Sequence, residues 1–249
     1  AGRRILVTRA EEQAAGFCLR LGALGAEAIE YPTIRVVPPV DAAPLGDAIG
    51  RLPSYDWVVF TSANGVAALW KHWAAIGSPR ADLFWPRGNV RVAAIGPATA
   101  GALLDRNVKP AFVPAEFIAE RVAEGLGEVD GKRILLPRAD IARPALAVLL
   151  RQRGAIIDEV TAYRTLPAIS AGPLPGGLDL IAFTSSSTVR YFVALIQGAL
   201  LPASTKVACI GPITAQTARE MGLRVDAVAR QYDVDGLVLA ITEALHEPH

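Results

Sequence analysis

The run Val92-Ala93-Ala94-Ile95-Gly96-Pro97-Ala98-Thr99-Ala100 and its near copy Val207-Ala208-Cys209-Ile210-Gly211-Pro212-Ile213-Thr214-Ala215 decide the fold. Each is a short unbroken apolar stretch that stops at Gly-Pro and continues into a helix-like segment. A continuous apolar run bounded by a turn signal reads as a strand covered on both faces. Proline fits the first turn of a helix, where its missing N–H costs no hydrogen bond. The repetition extends outward from this pair. Arg4-Ile5-Leu6-Val7-Thr8-Arg9-Ala10 matches Arg133-Ile134-Leu135-Leu136-Pro137-Arg138-Ala139, and Trp57-Val58-Val59-Phe60-Thr61-Ser62 matches Leu180-Ile181-Ala182-Phe183-Thr184-Ser185. The second copy lies 129 residues on at Ile5/Ile134, 123 at Phe60/Phe183 and 115 at Gly96/Gly211. Order is kept while the offset shrinks, so the first copy carries extra loop residues, and residues 78–89 read as such an insertion.

Between the strands the apolar period changes to that of a helix. Val66, Leu69, Trp70 and Trp73 share one face, as do Val189, Phe192, Val193 and Ile196. Strand and helix alternating around parallel strands predict two similar doubly wound, flavodoxin-like α/β lobes with a cleft between them. Two proline-flanked stretches interrupt the alternation: Tyr31-Pro32-Thr33-Ile34-Arg35-Val36-Val37-Pro38-Pro39 and Tyr163-Arg164-Thr165-Leu166-Pro167. Proline holds itself and its predecessor in extended geometry, which suits connectors between lobes. If both stretches cross, one lobe is discontinuous in sequence. A tandem division near Gly131 fits the periodicity equally well.

Composition narrows the function classes. The chain has 249 residues, 52% of them hydrophobic and 20% charged, enough apolar material for buried cores and too much for a disordered chain. A formal net charge of +1 provides no field for nucleic acid. No apolar run reaches the roughly 18 residues of a membrane span, and the first residues enter a strand-like run rather than a signal peptide. The two cysteines, Cys18 and Cys209, support no disulfide framework, so a cytoplasmic location is expected. The three histidines, His72, His246 and His249, make neither a His-based triad nor a His/Cys metal site. A strict Walker A or GxGxxG pattern is absent from the strand-to-helix turns, so a nucleotide is not specifically indicated.

In open α/β sheets ligands bind beyond the carboxyl ends of the strands. That rule singles out four strand-to-helix turns: Thr61-Ser62-Ala63-Asn64-Gly65, Thr184-Ser185-Ser186-Ser187-Thr188, Gly96-Pro97-Ala98-Thr99 and Gly211-Pro212-Ile213-Thr214. Helix starts offer free N–H groups and a positive dipole end to anions. Ser62, Asn64, Thr99, Ser185, Ser186 and Thr214 are the candidate binding residues. Each is also a residue type that caps helix starts with no ligand involved. Arg9 and Arg138 follow the first strand of each copy, where an arginine grips a carboxylate in bidentate fashion. Both read equally well as ordinary surface charges. Tyr163 occurs in one connector only, its counterpart being Ile34, so a one-sided chemical role and a half-buried strand tyrosine both fit it.

These residues resemble the uroporphyrinogen-III synthase family. The resemblance runs from Ile5 to Ile241 through the Val7-Thr8-Arg9 strand end, the Ser62-Ala63-Asn64-Gly65 turn, the two Gly-Pro turns, Val160-Thr161-Ala162-Tyr163-Arg164-Thr165 and Ala229-Arg230-Gln231-Tyr232-Asp233-Val234-Asp235-Gly236-Leu237. It implies one lobe of residues 1–34 and 167–249, another of residues 38–163, and connector strands at 35–37 and 164–166. It implies an enzyme without metal or cofactor that cyclises hydroxymethylbilane, with loss of water and inversion of the last pyrrole ring. It further implies a monomer whose contact with the preceding deaminase is at most transient. Tyr163 matches the tyrosine to which the family's general-acid role is assigned. Ser62, Asn64, Thr99, Ser185, Ser186 and Thr214 match polar cleft positions, and Arg9 and Arg138 match basic ones. A non-catalytic two-lobed binding module for an anionic metabolite is the alternative.

Overall fold

The computed structural model describes residues 2–77, 89–169, 172–196 and 201–246. The insertion read at residues 78–89 lies almost wholly outside them. The chain divides into two compact units, one made of residues 1–35 and 166–249 and the other of residues 36–165. The first contains strands β1 (Arg4–Val7), β2 (Glu27–Glu30), β8 (Leu180–Phe183), β9 (Lys206–Cys209) and β10 (Ala227–Val228). Its helices are α1 (Glu11–Ala23), α7 (Ser186–Ile196), α8 (Pro212–Glu220) and α9 (Val234–His246). The second contains β4 (Trp57–Phe60), β5 (Arg91–Ala94) and β6 (Arg133–Ala139), with helices α2 (Ala43–Gly50), α3 (Ala63–Ala75), α4 (Pro97–Leu104), α5 (Ala119–Gly125) and α6 (Ala145–Gln152). Strands β3 (Ile34–Val37) and β7 (Ile156–Pro167) carry the chain from one unit to the other and back.

Each unit is built on a five-stranded sheet, ordered β10-β9-β8-β1-β2 in one and β3-β7-β6-β4-β5 in the other. Pairings β1–β2, β1–β8, β8–β9 and β9–β10 are parallel, as are β4–β5, β4–β6 and β6–β7. Why the strands are unbroken apolar runs is plain from their faces. Val58 and Phe60 enter one core while their neighbours Trp57 and Val59 enter the core on the opposite face. Leu180 and Ala182 likewise separate from Ile181 and Phe183. Successive strand side chains point to opposite faces, so a sheet clad by helices on both sides needs every strand residue apolar.

The registers reproduce the internal repeat. Arg4 pairs with Glu27 and Arg133 with Ile156, both partners 129 residues on. Ala208 pairs with Ala227, and the isolated bridge Ala93 to Phe112 stands at the matching place. The sheets nevertheless mix the copies. Strands β1 and β2 of the first copy pair into the sheet of β8, β9 and β10 from the second, whereas β6 and β7 of the second complete the sheet of β4 and β5. Numbered by repeat, the first sheet follows the flavodoxin-like order 2-1-3-4-5, and the second follows 2-1-3-4 with β3 added beside β7 and the Phe112 bridge in the fifth place. Their topological switch points fall between β1 and β8 and between β6 and β4.

Candidate functional site

Each switch point is flanked by turns named from the sequence. In the central unit β4 ends at Phe60, and Ser62 takes extended backbone geometry to become the N-cap of α3, its Oγ accepting the Gly65 N–H at 3.0 Å. Gly65 is required here, because a Cβ would lie 2.9 Å from the Pro137 carbonyl oxygen of β6. The bare glycine thus lets the α3 start sit directly on β6, which brings the Ser62 hydroxyl to the strand edge. There it meets Tyr163 of β7, whose phenol oxygen lies 2.9 Å from Ser62 Oγ. The tyrosine is only 7% exposed, with its ring in the core that also holds Phe60 and Val66. Burial pushes the Tyr163 phenol above its ordinary value, hydrogen bonds with Ser62 and Asn64 pull it back, and the Asp140 carboxylate adds to the rise. The structure therefore brings Ser62, Asn64 and Tyr163 together and keeps the phenol protonated at neutral pH.

The two Gly-Pro turns behave alike. Gly96 and Gly211 are extended, and neither helix start receives a side-chain cap. The N–H groups of Ala98 and Thr99, and those of Ile213 and Thr214, find no acceptor among the described residues. Thr99 and Thr214 are buried at 4% and 5% exposure, so their side chains brace the turn while the backbone donors stay open. Glycine suits these turns by its size and not by its backbone angle. A Cβ at Gly96 would sit 3.0 Å from the Phe117 ring, and one at Gly211 would sit 3.3 Å from the Tyr232 ring. Neither Phe117 nor Tyr232 was among the candidate site residues named from the sequence. Their signal was present, because they stand 115 residues apart like the glycines they cover.

In the other unit Ser185 and Thr188 cap one another: the Ser185 N–H donates to Thr188 Oγ1 at 3.3 Å and the Thr188 N–H to Ser185 Oγ at 3.2 Å. Ser186 Oγ lies 2.8 Å from Thr217 Oγ1, whose own hydroxyl donates to the Ile213 carbonyl, so Ser186 ties the α7 start to α8. These two serines hold adjacent turns together.

The arginines, alike in sequence, differ in surroundings. Arg138 is 6% exposed; its Nη1 donates to Glu159 at 2.9 Å and its Nη2 to the Arg143 carbonyl. Glu159 also receives Arg151 at 2.7 Å, which makes a three-membered charge cluster. Among the described residues Arg9 has one hydrogen bond, Nη2 to Gln13 Oε1 at 3.5 Å, and its buried Nε has no partner there. Burial alone lowers the Arg9 guanidinium's affinity for its proton, with no carboxylate to offset it. Glu30, the repeat counterpart of Glu159, engages the Cys18 thiol instead and helps push it up to about 11.

The architecture and the open helix starts define a class: paired doubly wound α/β units that present backbone donors for anions at the carboxyl ends of parallel strands. A family model described as uroporphyrinogen-III synthase HemD matches residues 18–239. The chain is 36% identical to a uroporphyrinogen-III synthase of Synechococcus elongatus, over 97% of this chain and 95% of that one. It is 31% identical to the porphyrin biosynthesis protein HemD of Ruminiclostridium josui, over 97% of this chain and 48% of that longer one. Among solved structures, a mutant uroporphyrinogen III synthase of Thermus thermophilus superposes with a TM-score of 0.68 at 22% identity, covering 99% of this chain and all of that one. The Helicobacter pylori uroporphyrinogen-III synthetase gives 0.60 at 18% identity, covering 98% and 100%. The chain belongs to the uroporphyrinogen-III synthase family, enzymes of tetrapyrrole biosynthesis. Among the described residues no helix is long and apolar enough to cross a membrane.

Proposed function

We propose that the chain converts hydroxymethylbilane to uroporphyrinogen III, with Tyr163 as the general acid. The observation that carries this reading is a buried phenol, kept protonated and held 2.9 Å from Ser62 beside the β6–β4 switch point. The substrate's hydroxymethyl group must leave as water. Tyr163 gives its proton to that oxygen, and the C–O bond breaks to leave an electrophilic azafulvene. The far pyrrole ring attacks through its substituted carbon to form a spiro intermediate. A bond of that intermediate then migrates, the ring closes inverted, and the proton released on aromatisation returns to the phenolate. The product differs from the substrate by one water.

Most of the acceleration comes from holding two distant ends of a flexible chain in one geometry. The open N–H groups of Ala98, Thr99, Ile213 and Thr214 suit the substrate's eight carboxylates, because backbone donors at a helix start are fixed and already favour negative charge. Arg9, with no acid paired to it among the described residues, joins them as a carboxylate ligand. The enzyme works as a cytoplasmic monomer that receives its unstable substrate from the preceding deaminase.

The test is a coupled assay in which hydroxymethylbilane is generated in situ and the oxidised uroporphyrins are separated by isomer. Predominant isomer III is expected. Isomer I alone, from folded protein, would refute the activity and leave a binding module of the same fold.

A further inference from the structure

The strand that carries Tyr163 does not pair regularly with its neighbour. The parallel β6–β7 ladder runs in step from Arg133 with Ile156 to Arg138 with Thr161, then slips, so that Ala139 stands opposite Tyr163. Such a slip adds a residue to one strand and re-aims the side chain that follows. A single residue restores the pairing past it. The Asp140 N–H donates to the Tyr163 carbonyl at 3.1 Å, and Asp140 Oδ1 accepts the Thr165 N–H at 3.1 Å and the Ile141 N–H at 3.0 Å. A carboxylate oxygen takes the place that a strand carbonyl holds elsewhere in a sheet.

We infer that Asp140 is a positioning residue for Tyr163: it clamps the backbone on and just beyond the tyrosine and so fixes the phenol against Ser62. The geometry gives the reason. Tyr163 lies near the end of the β7 span in the central unit, whose last residue is Thr165. Past the slip β6 holds this stretch of β7 through Asp140, while Ser62, Asn64 and the surrounding core hold the ring itself. Asp140 also places a fixed negative charge near the phenol, which favours the protonated form that a proton donor needs. The counterpart of Asp140 in the first copy is Glu11, which opens α1 and makes no such bonds among the described residues, so there the clamp, like the phenol, belongs to one copy of the repeat.

This inference rests on the general-acid reading of Tyr163, and two variants with two readouts separate the claims. Asp140→Ala removes the acceptor, whereas Asp140→Asn keeps an oxygen for both N–H groups and removes only the charge. One readout is the Tyr163 phenol titration, taken as the ultraviolet difference against the matching Tyr163→Phe protein, which needs no turnover. The other is kcat, KM and the isomer III fraction. In Asp140→Ala the phenol is expected to titrate lower, kcat to fall about ten- to a hundred-fold at little changed KM, and isomer I to rise. Asp140→Asn is expected to restore most of kcat. An unchanged phenol titration and full turnover in folded Asp140→Ala would overturn the clamp. If Tyr163→Phe itself keeps full activity, the general-acid reading fails, while a phenol titration that differs between Asp140→Ala and Asp140→Asn, which share the loss of charge, still decides whether Asp140 places the phenol.

Discussion

Replacing Tyr163 with Phe separates chemistry from folding at this site. The ring stays in the core with Phe60, Val66 and Val160, and the change removes one oxygen whose principal contact is Ser62 at 2.9 Å. Ser62 keeps the Gly65 N–H at 3.0 Å, so the α3 cap survives. The loss of the neutral hydrogen bonds to Ser62 and Asn64 costs about 2 kcal/mol. For a chain of this length that lowers Tm by about 4–8 °C. The catalytic effect is larger, because removing a general acid slows its step by about 10² to 10⁴-fold. At 1.36 kcal/mol per tenfold this is about 2.7–5.4 kcal/mol of barrier. In the coupled assay kcat is expected to fall at least about a hundred-fold, with KM within about twofold. Spontaneous closure gives the uninverted isomer, so isomer I should grow as enzymatic turnover slows. A folded Tyr163→Phe protein with full kcat and unchanged isomer ratio would refute the reasoning.

The two arginines provide the next contrast. Arg138→Gln breaks the bond of a nearly buried arginine to a partly exposed Glu159 that keeps Arg151 and is expected to cost about 1–3 kcal/mol of stability, read as a lower Tm. Arg9→Gln should leave Tm nearly unchanged and weaken product binding about ten- to a hundred-fold, the range of a charge-assisted hydrogen bond, measured by calorimetry; equal effects of the two changes would contradict their different surroundings. Alkaline stability tests Tyr55, whose phenol donates to Asp158 at 2.6 Å and is pushed up to about 12, first by burial and then by that carboxylate. A phenol raised in the folded state contributes stability below its unfolded value near 10, and that stability is lost as pH rises from about 10 to about 12. Urea titrations between pH 8 and 11 should show a shallower decline in Tyr55→Phe, and an unaltered decline would count against the Asp158 contact.

How far the site was legible differs from residue to residue. Ser62, Asn64 and Tyr163 were named from turn chemistry, family resemblance and the asymmetry of the repeat, and the fold brings them into contact. Ser185 and Ser186 were named by the same rule, yet their hydroxyls bond within and between helix starts. Ser62 also caps its helix, and a capping serine and a ligand-binding serine obey the same local chemistry, so sequence could not tell the two roles apart. Asp140 was invisible because its role depends on a slip in strand register, which no local pattern records.

Sequence by itself determined the repeat, the parallel strands clad on both faces and the helix starts that end in open donors. Those features follow from periodicity and turn chemistry, which act over a few residues. Only the tertiary structure decided which strands share a sheet. Strand β1 resembles β6 and β4 resembles β8, so either copy's first strands fit either copy's later ones, and the apolar pattern cannot choose between them. The path through β3 and β7 chooses, sending β1 and β2 to β8 and leaving β6 and β7 with β4. The same holds for Arg9 and Arg138: each has a glutamate at the same repeat distance, but only Glu159 lies against its arginine, because an ion pair depends on separation in space and not along the chain.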